Sequence, residues 1–131
     1  MGLTNDERQS IVKYRIENAQ KALAEAKTIM GIGLWNLVAN RLYYSLYYAC
    51  TALLIHNLLA VHTHTGMMTL INQHFVQTGQ LTRDDSRLLK KMYTLRQEGD
   101  YEDFVEVTDD EIRMYVPLVE TLLNKILALI G

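Results

Sequence analysis

A chain of 131 residues is long enough to bury about two thirds of its unfolded surface, so it fits a single domain, 1–131, that needs no covalent staple. Its composition is ordinary for a globular protein, 49% hydrophobic and 21% charged, and its formal net charge of −2 excludes the broad basic footprint of a duplex-binding domain while leaving room for a local basic site. The lone cysteine, Cys50, excludes an intrachain disulfide and a cysteine zinc site, and reads as a small buried hydrophobe.

In chain order, five helical segments emerge and no strand pattern competes with them. Helix one opens at Thr4-Asn5-Asp6-Glu7, which has the spacing of a capping box. Its apolar positions Ile11, Ile16, Ala19, Ala22, Leu23, Ala26 and Met30 approximate one face, and Gly31 and Gly33 end it. Helix two is the long element, from about Leu34 to Ala60. It carries Asn40-Arg41-Leu42-Tyr43-Tyr44-Ser45-Leu46-Tyr47-Tyr48, four of the eight tyrosines directly after an arginine. Three stripes cover the helix: Arg41, Tyr44, Ser45, Tyr48 and Ala52; Leu42, Leu46, Cys50 and Leu53; and Tyr43, Tyr47 and Leu54. A helix apolar or aromatic nearly all round is a central helix.

Val61 to Gly66 reads as a polar break, and helix three as about Met67 to Thr78, closed by Gly79. Helix four starts at Thr82 or Asp84 and fades across Arg96-Gln97-Glu98-Gly99-Asp100-Tyr101, with Gly99 as the stop. Glu102 to Val107 is an acidic connection. Thr108-Asp109-Asp110-Glu111 is a second capping box, opening helix five, which continues to about Ile130. Pro117 is expected to kink it, or to divide it into two helices meeting at Val116. Long amphipathic helices with short connections argue for an all-α, up-and-down antiparallel bundle: a core like a four-helix bundle plus one short helix. The polar start is no signal peptide, and no apolar run reaches the ~20 residues of a membrane span, so a cytoplasmic protein without membrane attachment is expected.

Three clusters could carry chemistry. The arginine–tyrosine stripe could hold a phosphate and stack a base, or its rings could be core packing with their hydroxyls satisfied at the bundle edge. Arg41 is the more informative residue, since arginine is rarely buried without a partner. His62 and His64 lack the companions of a metal site and read more simply as residues capping the next helix, so no metal or other cofactor is expected. Arg96 to Tyr101 could be a cation at a helix C-terminus, and gains weight only beside Arg41. No Gly-rich phosphate loop or GxSxG motif is present.

In order along the chain stand Asn40-Arg41-x-Tyr43-Tyr44-x-x-Tyr47-x-Ala49, Ala52-Leu53-Leu54, Thr63-His64-x-Gly66, Phe75-Val76-x-x-Gly79 and Arg96-x-x-x-Asp100-Tyr101. Together these resemble the HEPN family of nucleotide-binding helical domains, closest to its small stand-alone prokaryotic branch. The resemblance implies a five-helix bundle that often forms a homodimer, and a minimal nucleotidyltransferase as a frequent partner, in toxin–antitoxin or defence systems. Many members are metal-independent ribonucleases whose signature is an arginine followed, after four to six residues, by a histidine. Such chemistry needs an acid–base group near neutral pKa and a fixed cation. Here no arginine has a histidine at that spacing; after Arg96 the first such position is Tyr101, which titrates near ~10. The expectation is therefore a module that binds a nucleotide, RNA or a nucleotidyltransferase, with Arg41 and Arg96 as cations, Asn40, Tyr44, Tyr48, Asp100 and Tyr101 shaping the site, and His64 at its periphery. The alternatives are a divergent ribonuclease using Arg96 with Tyr101 or His64, or a structural dimeric adaptor.

Overall fold

The computed structural model describes residues 2–101 and 108–131, with backbone alone for 97–101. Its elements are α1 (Asn5–Met30), α2 (Trp35–His56), α3 (His64–Ile71) continued by a π-helical turn (Asn72–Val76), α4 (Arg83–Tyr101) and α5 (Asp109–Ile130). Among the described residues there is no strand, and no helix is long and apolar enough to cross a membrane.

Helix α2 is the axis of the molecule, packed against all four other helices. Leu42, Tyr43, Leu46, Ala49, Leu53 and Leu54 are fully buried, as the sequence of a central helix requires. Its pairing with α1 is antiparallel: Arg15 of α1 donates to the Thr51 hydroxyl (2.9 Å), the Ser45 hydroxyl donates to the Ala19 carbonyl (2.8 Å), and Arg41 meets Glu25. Helices α4 and α5 also run antiparallel, tied by Lys91–Glu111 (3.7 Å) and by a Lys125–Asp85 pair. Burial alone would push the Asp85 carboxyl up, but Lys125 and the Thr82 amide outweigh it and hold the pKa below the ordinary value.

The starts of α1, α4 and α5 follow the sequence closely. Thr4 and Glu7 exchange both hydrogen bonds of a capping box, Thr82 and Asp85 do the same for α4, and Thr108 accepts from the Glu111 amide. Several ends do not. Helix α2 stops at His56, short of Ala60, because Leu58 takes a left-handed φ of 65°. The Leu58 amide then donates to the Ile55 carbonyl (3.0 Å) and the Leu59 amide to the Leu54 carbonyl (2.8 Å), a Schellman closure with leucine where glycine is usual.

Helix α3 starts three residues before Met67, at His64, with Thr63 as its cap. The Thr63 hydroxyl accepts from the Gly66 amide at 2.8 Å, and a Cβ on Gly66 would lie 2.7 Å from that oxygen. A larger residue at 66 would have to shift the cap slightly, toward the longer bonds seen at Thr4 and Thr82. Helix α4 passes through Gly99 to Tyr101 instead of stopping, a cost of about 1 kcal/mol that a glycine imposes without breaking a helix. Helix α5 is one helix with Pro117 inside it, not two. Cys50 is buried as expected, and burial pushes its thiol up to about 12.

Candidate functional site: an arginine–tyrosine–histidine cluster

Helix α2 places Arg41, Tyr44 and Tyr48 at successive turns along one edge, half-buried beside the fully buried Tyr43. Helix α4 brings Tyr93 and Arg96 across to them, and the start of α3 brings His64. Tyr44 is the meeting point. The Arg41 guanidinium carbon lies 5.4 Å from its ring centre, and that of Arg96 lies 5.7 Å from it while Arg96 donates to the Tyr44 hydroxyl at 3.2 Å. Arg96 also lies 5.5 Å from the Tyr43 ring and 5.7 Å from the Tyr93 ring. Ring faces attract a guanidinium by their quadrupole, each contact contributing about 0.5–2 kcal/mol depending on exposure.

Arg41 is steadied by two neighbours. Its Nε and one Nη donate to the Asn40 side-chain oxygen at 3.1 and 2.9 Å, and the other Nη reaches Glu25 of α1 at 3.4 Å. The Glu25 pair is weak: both side chains keep solvent exposure, 26% for Arg41 and 42% for Glu25, and exposed pairs contribute about 0–1 kcal/mol. The Arg41 charge is therefore oriented more than it is neutralised.

His64 sits within the cluster rather than at its edge. Its ring is 4.8 Å from Tyr47, 5.6 Å from Tyr43 and 5.9 Å from Tyr93. Its Nδ1 is 2.6 Å from the Tyr43 hydroxyl. Burial pushes the Tyr43 phenol far up, so its proton stays in place. A buried hydroxyl that keeps its proton donates it, and His64 Nδ1 is the acceptor at hand. The neutral imidazole then carries its own proton on Nε2. Burial and the nearby Arg96 charge both push the His64 pKa down, favouring that neutral form. Chemically, the cluster presents two fixed cations, tyrosine faces and edges, and one uncharged imidazole N–H. That set suits an oxyanion attached to an aromatic ring.

Of the residues singled out from the sequence, Asn40, Arg41, Tyr44, His64 and Arg96 come together directly. Tyr48 joins through ring contacts with Tyr44 (6.0 Å) and Tyr47 (5.8 Å). The side chains of Asp100 and Tyr101 lie outside the described residues. Sequence reading missed Glu25, Tyr47 and Tyr93 as members, and missed Tyr43 as the partner of His64. Tyr93 had a signal: it lies three residues before Arg96, one helical turn away on the same face. Glu25 had none, since only the register of α1 on α2 brings it to Arg41.

Residues 12–129 match the HEPN domain family. A UPF0332 protein of Thermotoga maritima is 29% identical over 125 residues, 95% of each chain. Two proteins of Methanocaldococcus jannaschii are also similar. "Putative toxin MJ0142" is 26% identical over 110 residues, covering 84% of this chain and 75% of its own, and "Putative toxin MJ0605" is 28% identical over 131 residues, covering 95% and 98%. With an all-helical fold built round the arginine–tyrosine helix, and a match that runs from the second turn of α1 to the last turn of α5, the chain belongs to the HEPN domain family.

Proposed function

We propose that this HEPN-family chain is the binding module of a toxin-type system, taking a nucleotide or single-stranded RNA at the arginine–tyrosine–histidine cluster. The convergence of Arg41 and Arg96 on the half-buried Tyr44 is the observation that carries this reading. Guanidinium groups bind phosphate oxygens by charge-assisted hydrogen bonds, and tyrosine rings stack bases at about 1–3 kcal/mol each. The net charge of −2 agrees with a local site better than with a long nucleic-acid track. The names of the two Methanocaldococcus relatives support the toxin-type setting. In this reading the chain acts as a homodimer beside a nucleotidyltransferase protein.

Titration of RNA oligonucleotides and mononucleotides into the wild type and the Arg41→Ala/Arg96→Ala variant tests the proposal. Loss of two phosphate-binding cations is expected to weaken binding at least about 100-fold, or about 2.7 kcal/mol. Unchanged affinity in a folded double variant would refute it.

A second reading, a divergent metal-independent ribonuclease, draws support from one observation: His64 and Arg96 share the Tyr43, Tyr44 and Tyr93 rings. Arg96 would stabilise charge on phosphorus while His64 moves a proton. The Tyr43 hydroxyl on His64 Nδ1 weighs against it, because a ring nitrogen engaged in that hydrogen bond is not free to take a proton from RNA. Incubating cellular RNA with the protein, with and without chelator, separates the two readings. Chelator-resistant cleavage abolished by Arg96→Ala would favour the enzyme.

A further inference from the structure

A cavity lies at the other end of α2. It holds about 400 Å³ and opens between the first residues of the chain and the connection that follows α2. Its walls include Leu3, Ile55, Leu58, Leu59 and Val61, and Arg8 enters it from α1. Leu3 and Leu58 are 49% and 75% exposed, so apolar surface also continues at the rim.

Arg8 is out of place by ordinary rules. It sits near the positive end of α1, where the helix dipole disfavours a cation. Among the described residues, no carboxylate lies within ion-pair distance of it. One Nη is held by Asn5, but its Nε–H is buried and has no hydrogen-bond partner. Glu7, one residue before it, is committed to the Thr4 cap. A buried donor left unmet is costly, and a guanidinium in apolar surroundings calls for an anion. The cavity is where such an anion would fit. Its volume is near the small end of the ~300–1,000 Å³ typical of small-molecule pockets, too little for a polymer.

We propose that this cavity binds a small amphipathic carboxylate, an alkyl or aryl acid whose carboxylate pairs with Arg8 and whose tail lies against Leu3, Ile55, Leu59 and Val61. The proposal stands apart from the arginine–tyrosine–histidine cluster. The two sites are joined by a short path, however. The wall at 58–61 is followed after one residue by the Thr63 cap and His64.

The test is a titration of isotope-labelled full chain, followed by amide NMR, with three probes. Octanoate carries both charge and tail, octanol the tail alone, and acetate the charge alone. Saturable shifts at Leu3, Arg8, Leu59 and Val61 are expected with octanoate, with octanol and acetate each at least about tenfold weaker. Arg8→Gln is expected to bring octanoate down to the affinity of octanol. Ala60→Phe, which leaves Arg8 in place and adds a ring at the cavity's lining, is expected to weaken octanoate binding, and serves if Arg8→Gln does not fold. Failure of octanoate to saturate, equal affinity for octanoate and octanol, or undiminished octanoate binding in the folded Arg8→Gln or Ala60→Phe variant would each overturn the proposal.

Discussion

Tyr43→Phe isolates the contact on which the chemistry of His64 turns. The substitution removes one oxygen and leaves the fully buried ring in place, so no cavity opens around it. What is lost is the 2.6 Å hydrogen bond to His64 Nδ1. A hydrogen bond of this kind contributes about 0.5–1.5 kcal/mol net. His64 is only half-buried, so water can take over its nitrogen, and phenylalanine no longer carries a hydroxyl to desolvate. Both considerations hold the expected loss to about 1 kcal/mol, which for a chain of this size lowers Tm by roughly 3–6 °C. The sharper readout is the tautomer. In the wild type, imidazole nitrogen NMR is expected to find the proton on Nε2, and in Tyr43→Phe to find both neutral forms populated. A proton on Nδ1 in the wild type, or an unchanged tautomer in the variant, would refute the reasoning. A stability loss alone would not rescue it.

Three further outcomes concern His64 and helix α5. Burial first, and then Arg96, hold the His64 pKa below its ordinary ~6.5, so the folded state binds a proton less readily than the unfolded chain; stability is intact above ~6.5 and falls as pH drops below it. Arg96→Met removes the second cause and is expected to raise the pKa of His64 in an NMR titration, whereas an unmoved titration would show that the arginine field does not reach the imidazole. Pro117→Ala restores the amide that α5 lacks at an exposed interior position, where proline is disfavoured by about 3 kcal/mol relative to alanine; a gain of about 2–3 kcal/mol in chemical denaturation is expected, and no gain would mean that α5 is already relaxed around the proline.

The fold was legible wherever local chemistry alone decides it. Thr4 with Glu7 and Thr108 with Glu111 mark helix starts because the cap and its partner are three residues apart on the same strand of chain. The all-round apolar character of Leu42 to Leu54 places α2 at the centre for the same reason. The end of α2 was not legible, because Leu58 adopts a conformation leucine rarely takes, and its stability comes from the closure bonds back to Leu54 and Ile55. Nor was the start of α3. Thr63 and His64 read as a break until the Gly66 amide is seen to reach the threonine hydroxyl, at 2.8 Å with no Cβ to crowd the oxygen.

The candidate site divides along the same line. Arg41 and Tyr44 share one helix, and their stripe is a matter of spacing. Arg96 and His64 join them only through the packing of α4 and α3 on α2, which no local pattern encodes. That packing also changes what the residues can do. A carboxylate beside a guanidinium competes with an incoming phosphate for the same charge, whereas a ring face holds the guanidinium and leaves the charge in place. Tyr44 holds Arg41 in this way, and among the described residues the carboxylate that meets Arg41, Glu25, is partly exposed and at 3.4 Å; the rings of Tyr43, Tyr44 and Tyr93 also lie against the Arg96 guanidinium. A phosphate entering beside Tyr44 can displace Glu25 at little cost, about 1 kcal/mol or less. The tyrosines that looked like either a stacking platform or a core thus serve a third purpose. They orient the Arg41 and Arg96 guanidiniums, and one of them, Tyr43, also hydrogen-bonds His64 Nδ1. An oriented cation and a neutral N–H donor favour holding a phosphate over deprotonating a neighbouring hydroxyl, and that is the physical ground for placing binding ahead of cleavage.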